Sequence, residues 1–210
     1  MPPDSPGNRV QRLLKSLNCD GRRGWGLALA CLLLLAAELG GEGTRELLRY
    51  QRDAVAAGEW WRLATAHLVH LGLHHALLNA LGLALMWALF ARDYDVRGWI
   101  AIIVSAVVAI DVGLWVGDST VQWYVGSSGA LHGIMAAGTL AHLKRGEPDG
   151  WILGIFLVGK LLYEQTVGAL PLVGPGVVVV TDAHLYGALG GLLGAYVFGS
   201  GQRGRATEPL

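Results

Sequence analysis

Cysteine is almost missing from this 210-residue chain: Cys19 and Cys31 are the two present. Their positions suit neither a disulfide framework nor a cysteine metal site, so cysteine chemistry is expected to be silent. Charge is scarce as well. Charged residues make up 15% against 53% hydrophobic, and they cancel to a net charge of zero. That balance leaves no basic surface for nucleic acid. No internal repeat, low-complexity tract or second domain is apparent. Most informative, two of the stretches between apolar runs contain no Lys or Arg at all.

What the chain does have is apolar length and glycine. It carries 31 glycines and a mean hydropathy of +0.44, the composition of an integral membrane protein rather than a soluble domain. Six apolar segments stand out: Trp25–Gly40, Leu71–Phe90, Gly98–Gly117, Ser128–Leu143, Trp151–Gly168 and Asp182–Phe198. Most approach the ~20 residues that cross ~30 Å of hydrocarbon. The first follows Arg22 and Arg23 like a signal peptide, but no small-residue cleavage site follows it, so a retained helix is expected.

Lys and Arg fall before segment 1, between 2 and 3, between 4 and 5, and after 6. These stretches are expected on the cytoplasmic side, with both termini. The exception is the long stretch after segment 1, which carries Arg45, Arg49, Arg52 and Arg62. It reads as amphipathic helix at the interface, anchored by Trp60 and Trp61. The expected product is an all-α membrane protein. It has a cytoplasmic N-terminal arm (1–23), a six-helix domain (24–199) and a cytoplasmic tail (200–210).

In that topology segments 2, 4 and 6 all start in the outer leaflet, and their starts hold the polar residues. Segment 2 brings His67, His70, His74, His75 and Asn79, segment 4 brings Ser127, Ser128 and His132, and segment 6 brings Asp182 and His184. Intramembrane polar groups are costly unless they face protein or water, and they mark function. Segment 4 has 16 residues, about 24 Å of helix at ~1.5 Å per residue, so its start must lie below the outer surface in a wet cavity. Ser128 at that helix start, flanked by Gly126 and Gly129, suits a nucleophile whose neighbouring N–H groups face a developing oxyanion. His184 at matching depth suits its base. Gly187, Gly190, Gly191 and Gly194 on segment 6 would pack against Gly129 and Gly133 on segment 4. Asp182, two residues from His184, points elsewhere, so a Ser–His dyad is expected. His75 and Asn79 share a helical face and can supply oxyanion donors.

Blander readings compete at several positions. His67, His70 and His74 share a face and could hold a metal, yet neither carboxylate nor cysteine joins them, and no metal is expected. His142 is expected to be solvated beside Lys144. Lys160 and Glu164, four apart, can neutralise each other. Asp111 has no evident partner.

Together these residues resemble the rhomboid intramembrane serine proteases from Glu59 to Gly194. The family's Gly-x-Ser-Gly is matched by Gly126-Ser127-Ser128-Gly129, and its His-x-x-x-Asn by His75 to Asn79, with His70 before it. Ala183-His184 with Gly187 and Gly191 matches its Ala-His-x-x-Gly-x-x-x-Gly, and Trp61-Arg62 matches its Trp-Arg. The resemblance implies a six-helix core, catalysis by Ser128 and His184, oxyanion donors at His75 and Asn79, and support from Gly126, Gly129, His132 and Gly187. It also implies a transmembrane protein substrate and no cofactor, and a loop over Gly174–Thr181 that caps the site and pairs with extended substrate.

Within the family the chain is most similar to the rhombosortases. The likeness rests on its short length, Tyr124-x-Gly126-x-Ser128-Gly129-x-Leu131-His132-Gly133, and KLLYEQ over Lys160 to Gln165. That implies a bacterial inner-membrane enzyme whose partner is an exported protein with a C-terminal Gly-Gly sorting tail. One departure is His132, where many rhomboids have a tyrosine packing on the catalytic histidine. The alternatives are a general rhomboid protease, an inactive rhomboid-like protein that holds membrane clients, and a histidine-lined metal transporter.

Overall fold

Residues 24–170 and 179–199 are described by a computed structural model, and they are largely helical. The expected arm (1–23), the tail (200–210) and residues 174–178 of the expected cap lie outside the described residues. The first apolar run forms α1, Gly24–Ala36, continued by a 3-10 turn over Ala37–Gly40 and by α2, Gly41–Leu48. The stretch expected as amphipathic surface helix is broken into pieces. After α2 come β1 (Tyr50–Gln51), α3 (Arg52–Ala56) and α4 (Trp61–Thr65). The chain turns between α3 and α4 at Gly58, where φ is +102°, a conformation that glycine adopts without strain. Trp60 and Trp61 stay 72% and 49% exposed, which leaves both rings free to sit at an interface.

The remaining helices are α5 (Leu73–Phe90), α6 (Val96–Val112, extended by a π-helical turn over Gly113–Gly117), α7 (Ser128–Lys144), α8 (Pro148–Thr166) and α9 (Asp182–Phe198). Local chemistry sets the starts of two of them. The Asp95 side chain accepts from the Gly98 N–H at 2.7 Å ahead of α6, and Pro148 occupies the first turn of α8, where its missing N–H is no loss. Among the described residues three helical stretches, 24–48, 73–90 and 96–117, are long and apolar enough to cross a membrane. At 17 residues each, α7 and α9 are shorter, and α7 buries glycine and alanine along most of its length.

The packing of α9 decides where the site forms. A Cβ on Gly187 would collide with the backbone of Gly129, and one on Gly191 with that of Gly133. The other two glycines of the stripe face a different helix: Gly190 and Gly194 lie against Ser105 and Ile102 of α6. Small residues thus let α9 meet two helices backbone to backbone, the form of packing open to helices in lipid, where burial of apolar surface drives nothing.

Between α6 and α7 the chain makes β2, Trp123–Tyr124, antiparallel to β1 with Tyr50 opposite Tyr124. Arg52 secures this crossing. Its guanidinium donates to the carbonyls of Leu114, Trp115, Asp118 and Val121 over 2.5–3.2 Å and so occupies oxygens that the end of α6 leaves without helical partners.

Two sequence expectations change here. Asp111 does have a partner, the Nε2 of His67 at 3.3 Å. His142 is buried rather than solvated, 5% exposed, because the turn into α8 folds acidic groups back over it. Asp149 lies 2.9 Å and Glu147 3.3 Å from its Nδ1, while Asp93 lies 3.2 Å from its Nε2.

Because Gly191 has no room for a methyl group, Gly191→Ala is expected to push α7 and α9 apart and to destabilise the protein by about 1–3 kcal/mol. Gly159→Ala, where a Cβ meets nothing within 4 Å, is expected to be neutral or slightly stabilising through helix propensity. Thermal unfolding of both variants in detergent checks the contrast; equal midpoints would show that the contact is not tight.

Candidate active site

The start of α7 is shaped by backbone first. Gly126 has φ +114°, which favours glycine, and a Cβ there would lie 3.2 Å from the His75 ring. Its N–H donates to Ala66 O at 2.9 Å, and its carbonyl accepts from the Tyr124 hydroxyl at 2.7 Å. Ser127 stands at the N-cap position, but its hydroxyl does not cap the helix. It donates instead to Asn79 Oδ1 at 3.2 Å and lies 3.3 Å from His70 Nε2. Helix starts leave N–H groups without intrahelical partners. Here the Gly129 N–H turns to the Tyr124 hydroxyl.

Ser128 Oγ lies 2.9 Å from Nε2 of His184 on α9. The distance follows from the glycine contact below it, since the Gly129–Gly187 approach holds the two helix starts together. His132, one turn along α7, stacks on His184 with ring centroids 4.2 Å apart and planes 16° apart. Its Nδ1–H donates to the Ser128 carbonyl at 2.7 Å. The substitution of histidine for tyrosine therefore keeps the stacking and adds a hydrogen bond to the Ser128 backbone.

His75 and Ser128 both line a cavity of about 450 Å³, bounded also by Trp123, Tyr124 and Val125 and by Val179 and Val180. Nδ1 of His75 accepts from the Leu71 N–H at 3.3 Å, so the proton sits on Nε2, near Gly126. Asn79 is placed differently from expectation. Its amide is occupied by Ser127 and, at 3.0 Å, by the His75 carbonyl, and it does not line the cavity. It braces His75 and Ser127 from behind.

His184 has a further partner beyond the expected Ser–His pair. Nδ1 of His184 lies 2.9 Å from Oε2 of Glu164 on α8, and the other carboxylate oxygen takes a 2.6 Å bond from Lys160 Nζ. Spacing along one helix found the Lys160–Glu164 pair but not its junction with His184. Asp182 stays out of the site, as expected, and accepts from the Gln165 amide at 3.0 Å.

His132, Glu164 and His184 bring ligand atoms within 4.8 Å of one another; there His184 and Glu164 are hydrogen-bonded to each other. The three histidines that share a face in the sequence disperse: His67 pairs with Asp111, His70 is enclosed near Ser127, and His74 faces outward.

Comparison with known proteins agrees with this geometry. The Rhomboid domain family matches residues 57–201. The chain is 27% identical over 139 residues to YdcA of Bacillus subtilis (strain 168), covering 66% of this chain and 67% of that one. It is 24% identical over 198 residues to the rhomboid protease GluP of the same organism, covering 88% of this chain and 36% of that one. The chain belongs to the rhomboid family of intramembrane serine proteases.

The Lys160–Glu164 contact makes a stability prediction. Lys160→Met strands a buried carboxylate and is expected to cost about 3–5 kcal/mol, whereas Lys160→Met/Glu164→Gln, which leaves no charge, is expected to cost less than that single change. Denaturation in mixed micelles measures both, and additive losses would exclude the coupling.

Proposed function

We propose that this protein is an inner-membrane protease of a bacterium, with six spans and both termini cytoplasmic, that removes Gly-Gly-type C-terminal sorting tails from exported proteins. The observation that carries the catalytic part is the 2.9 Å contact between Ser128 Oγ and His184 Nε2 at the wall of a cavity. Ser128 Oγ attacks the scissile carbonyl as its proton passes to His184 Nε2, forming the C–O bond. The Ser128 N–H and His75 Nε2–H hold the resulting oxyanion. His184 then gives the proton to the leaving amine as the C–N bond breaks, and water releases the acyl group by the same steps in reverse. Both groups of the reaction are present and in contact, which favours a protease over an inactive client-binding relative.

Topology rests on the Lys and Arg distribution, and localisation follows from it. The substrate rests on the likeness to rhombosortases and on helix chemistry. Helical carbonyls are hydrogen-bonded and shielded, so the serine can attack only chain that has left its helix. A Gly-Gly pair beside a short apolar helix weakens the helix by ~1 kcal/mol per residue relative to alanine and leaves room at the scissile bond. Trp123 and Val179, both lining the cavity, would border such an extended segment.

Ser128→Ala and His184→Ala are each expected to abolish fluorophosphonate labelling and cleavage while leaving the protein folded, and His75→Ala to lower the rate by ~10²–10³. Near-wild-type activity of Ser128→Ala would refute the assignment. For the substrate, the protein is co-expressed with a reporter bearing a Gly-Gly tail, an apolar helix and a basic end. Mass spectrometry is expected to find a new C-terminus near the pair. An unprocessed tail, or a cut indifferent to replacing Gly-Gly by bulky β-branched residues, would leave the general rhomboid protease as the reading.

A further inference from the structure

We propose that Glu164 is a positioning residue for His184, and that Lys160 fixes the orientation of Glu164, so that this protease works with a Ser128–His184–Glu164 triad rather than a dyad. The inference rests on Ser128 and His184 being nucleophile and base.

The argument starts from proton inventory. An ionised carboxylate can only accept, so the 2.9 Å contact between Glu164 Oε2 and His184 Nδ1 requires the hydrogen on Nδ1. That leaves a lone pair on Nε2, facing Ser128 Oγ, which is the tautomer a general base needs. When the serine proton arrives, the imidazolium sits against a buried negative charge, as the acid of a serine-protease triad provides. Glu164 is suited to this by burial, its side chain being 2% exposed. Lys160 makes that burial tolerable by occupying Oε1 at 2.6 Å.

The other charged or titratable groups around His184 are engaged differently. His132 on α7 stacks on the ring face and spends its Nδ1–H on the Ser128 carbonyl. Asp182 on α9 is held by Gln165, a second tie between α8 and α9 that does not involve the histidine. His75 on α5 lies across the cavity with its Nδ1 bonded to Leu71. Glu164 alone of these is bonded to Nδ1.

Lys160 makes the idea separable from a structural role. In Glu164→Gln the ammonium selects the amide oxygen, which turns the amide NH₂ towards His184 Nδ1 and forces the hydrogen onto Nε2, the wrong nitrogen. In Lys160→Met/Glu164→Gln the amide is free to rotate and offer its oxygen to Nδ1–H.

Inactivation of the full chain in detergent by a fluorophosphonate separates kinact from KI. Glu164→Gln is expected to lower kinact by ~10²–10⁴ with KI unchanged, and the double variant to regain part of that loss. Nitrogen NMR of wild-type protein labelled at histidine is expected to show His184 protonated on Nδ1 in its neutral form. A Glu164→Gln kinact within about twofold of wild type, no recovery in the double variant, or an Nε2-protonated His184 in wild type would each overturn the triad. Should Glu164→Gln fail to fold, the uncharged double variant and the wild-type spectrum still decide. Failure of wild-type Ser128 to label at all, with the Nδ1 tautomer present, would overturn the protease reading instead.

Discussion

Everything at the site depends on two helices touching through glycine. Gly129 and Gly133 of α7 meet Gly187 and Gly191 of α9 with no side chain between them, so the first turns of the two helices are held at backbone distance. Ser128 and His184 sit on those turns. With larger residues at the contact the helices would separate by the width of a methyl group or more, further than a hydrogen bond tolerates. Packing and site geometry are therefore one constraint: the contact that joins the helices in lipid also sets the separation of Ser128 and His184.

A second consequence of that closeness is the concentration of polar groups at one end of the molecule. His67 pairs with Asp111, His70 and Asn79 enclose Ser127, and His184 joins Glu164 and Lys160. All but the Lys160–Glu164 link cross between elements, so the polar groups knit the helix ends together while the outward faces of α6 and α8 present Val104, Val108, Ile155 and Phe156. These buried side chains are paired with each other, which is how such groups are tolerated in an apolar surrounding.

How much of this could be read in advance depended on whether a partner lay at a predictable depth. Ser128, His75 and His184 could be matched because each stands at the start of an apolar segment running the same way. Glu164 stands at the end of a segment running the opposite way, so it reaches the same depth; that signal was present, but the pairing with Lys160 seemed to account for its charge. A carboxylate has two oxygens, and one lysine satisfies one of them. Asp111 and His67 meet across two elements whose relative rotation no spacing reveals. His142 was misjudged for a local reason: the turn at Gly146, with φ +72°, brings Glu147 and Asp149 back over a ring that helix position alone would leave solvated. The break-up of α2 to α4 was hidden because Arg52 and Arg62 form an amphipathic pattern on paper while each makes contacts that require the chain to bend.

Arg52 gives the cavity an unusual point of reference. The wall carrying Trp123 to Val125 is fastened through one guanidinium and one short ladder to the segment that bears Trp60 and Trp61, and through the Tyr124 hydroxyl to the start of α7. Those exposed indoles belong at the boundary between acyl chains and headgroups. One wall of the chamber above Ser128 is thus shared between the helix bundle and the segment whose indoles stand exposed. Any shift of that segment against the bundle would reshape the space above the serine.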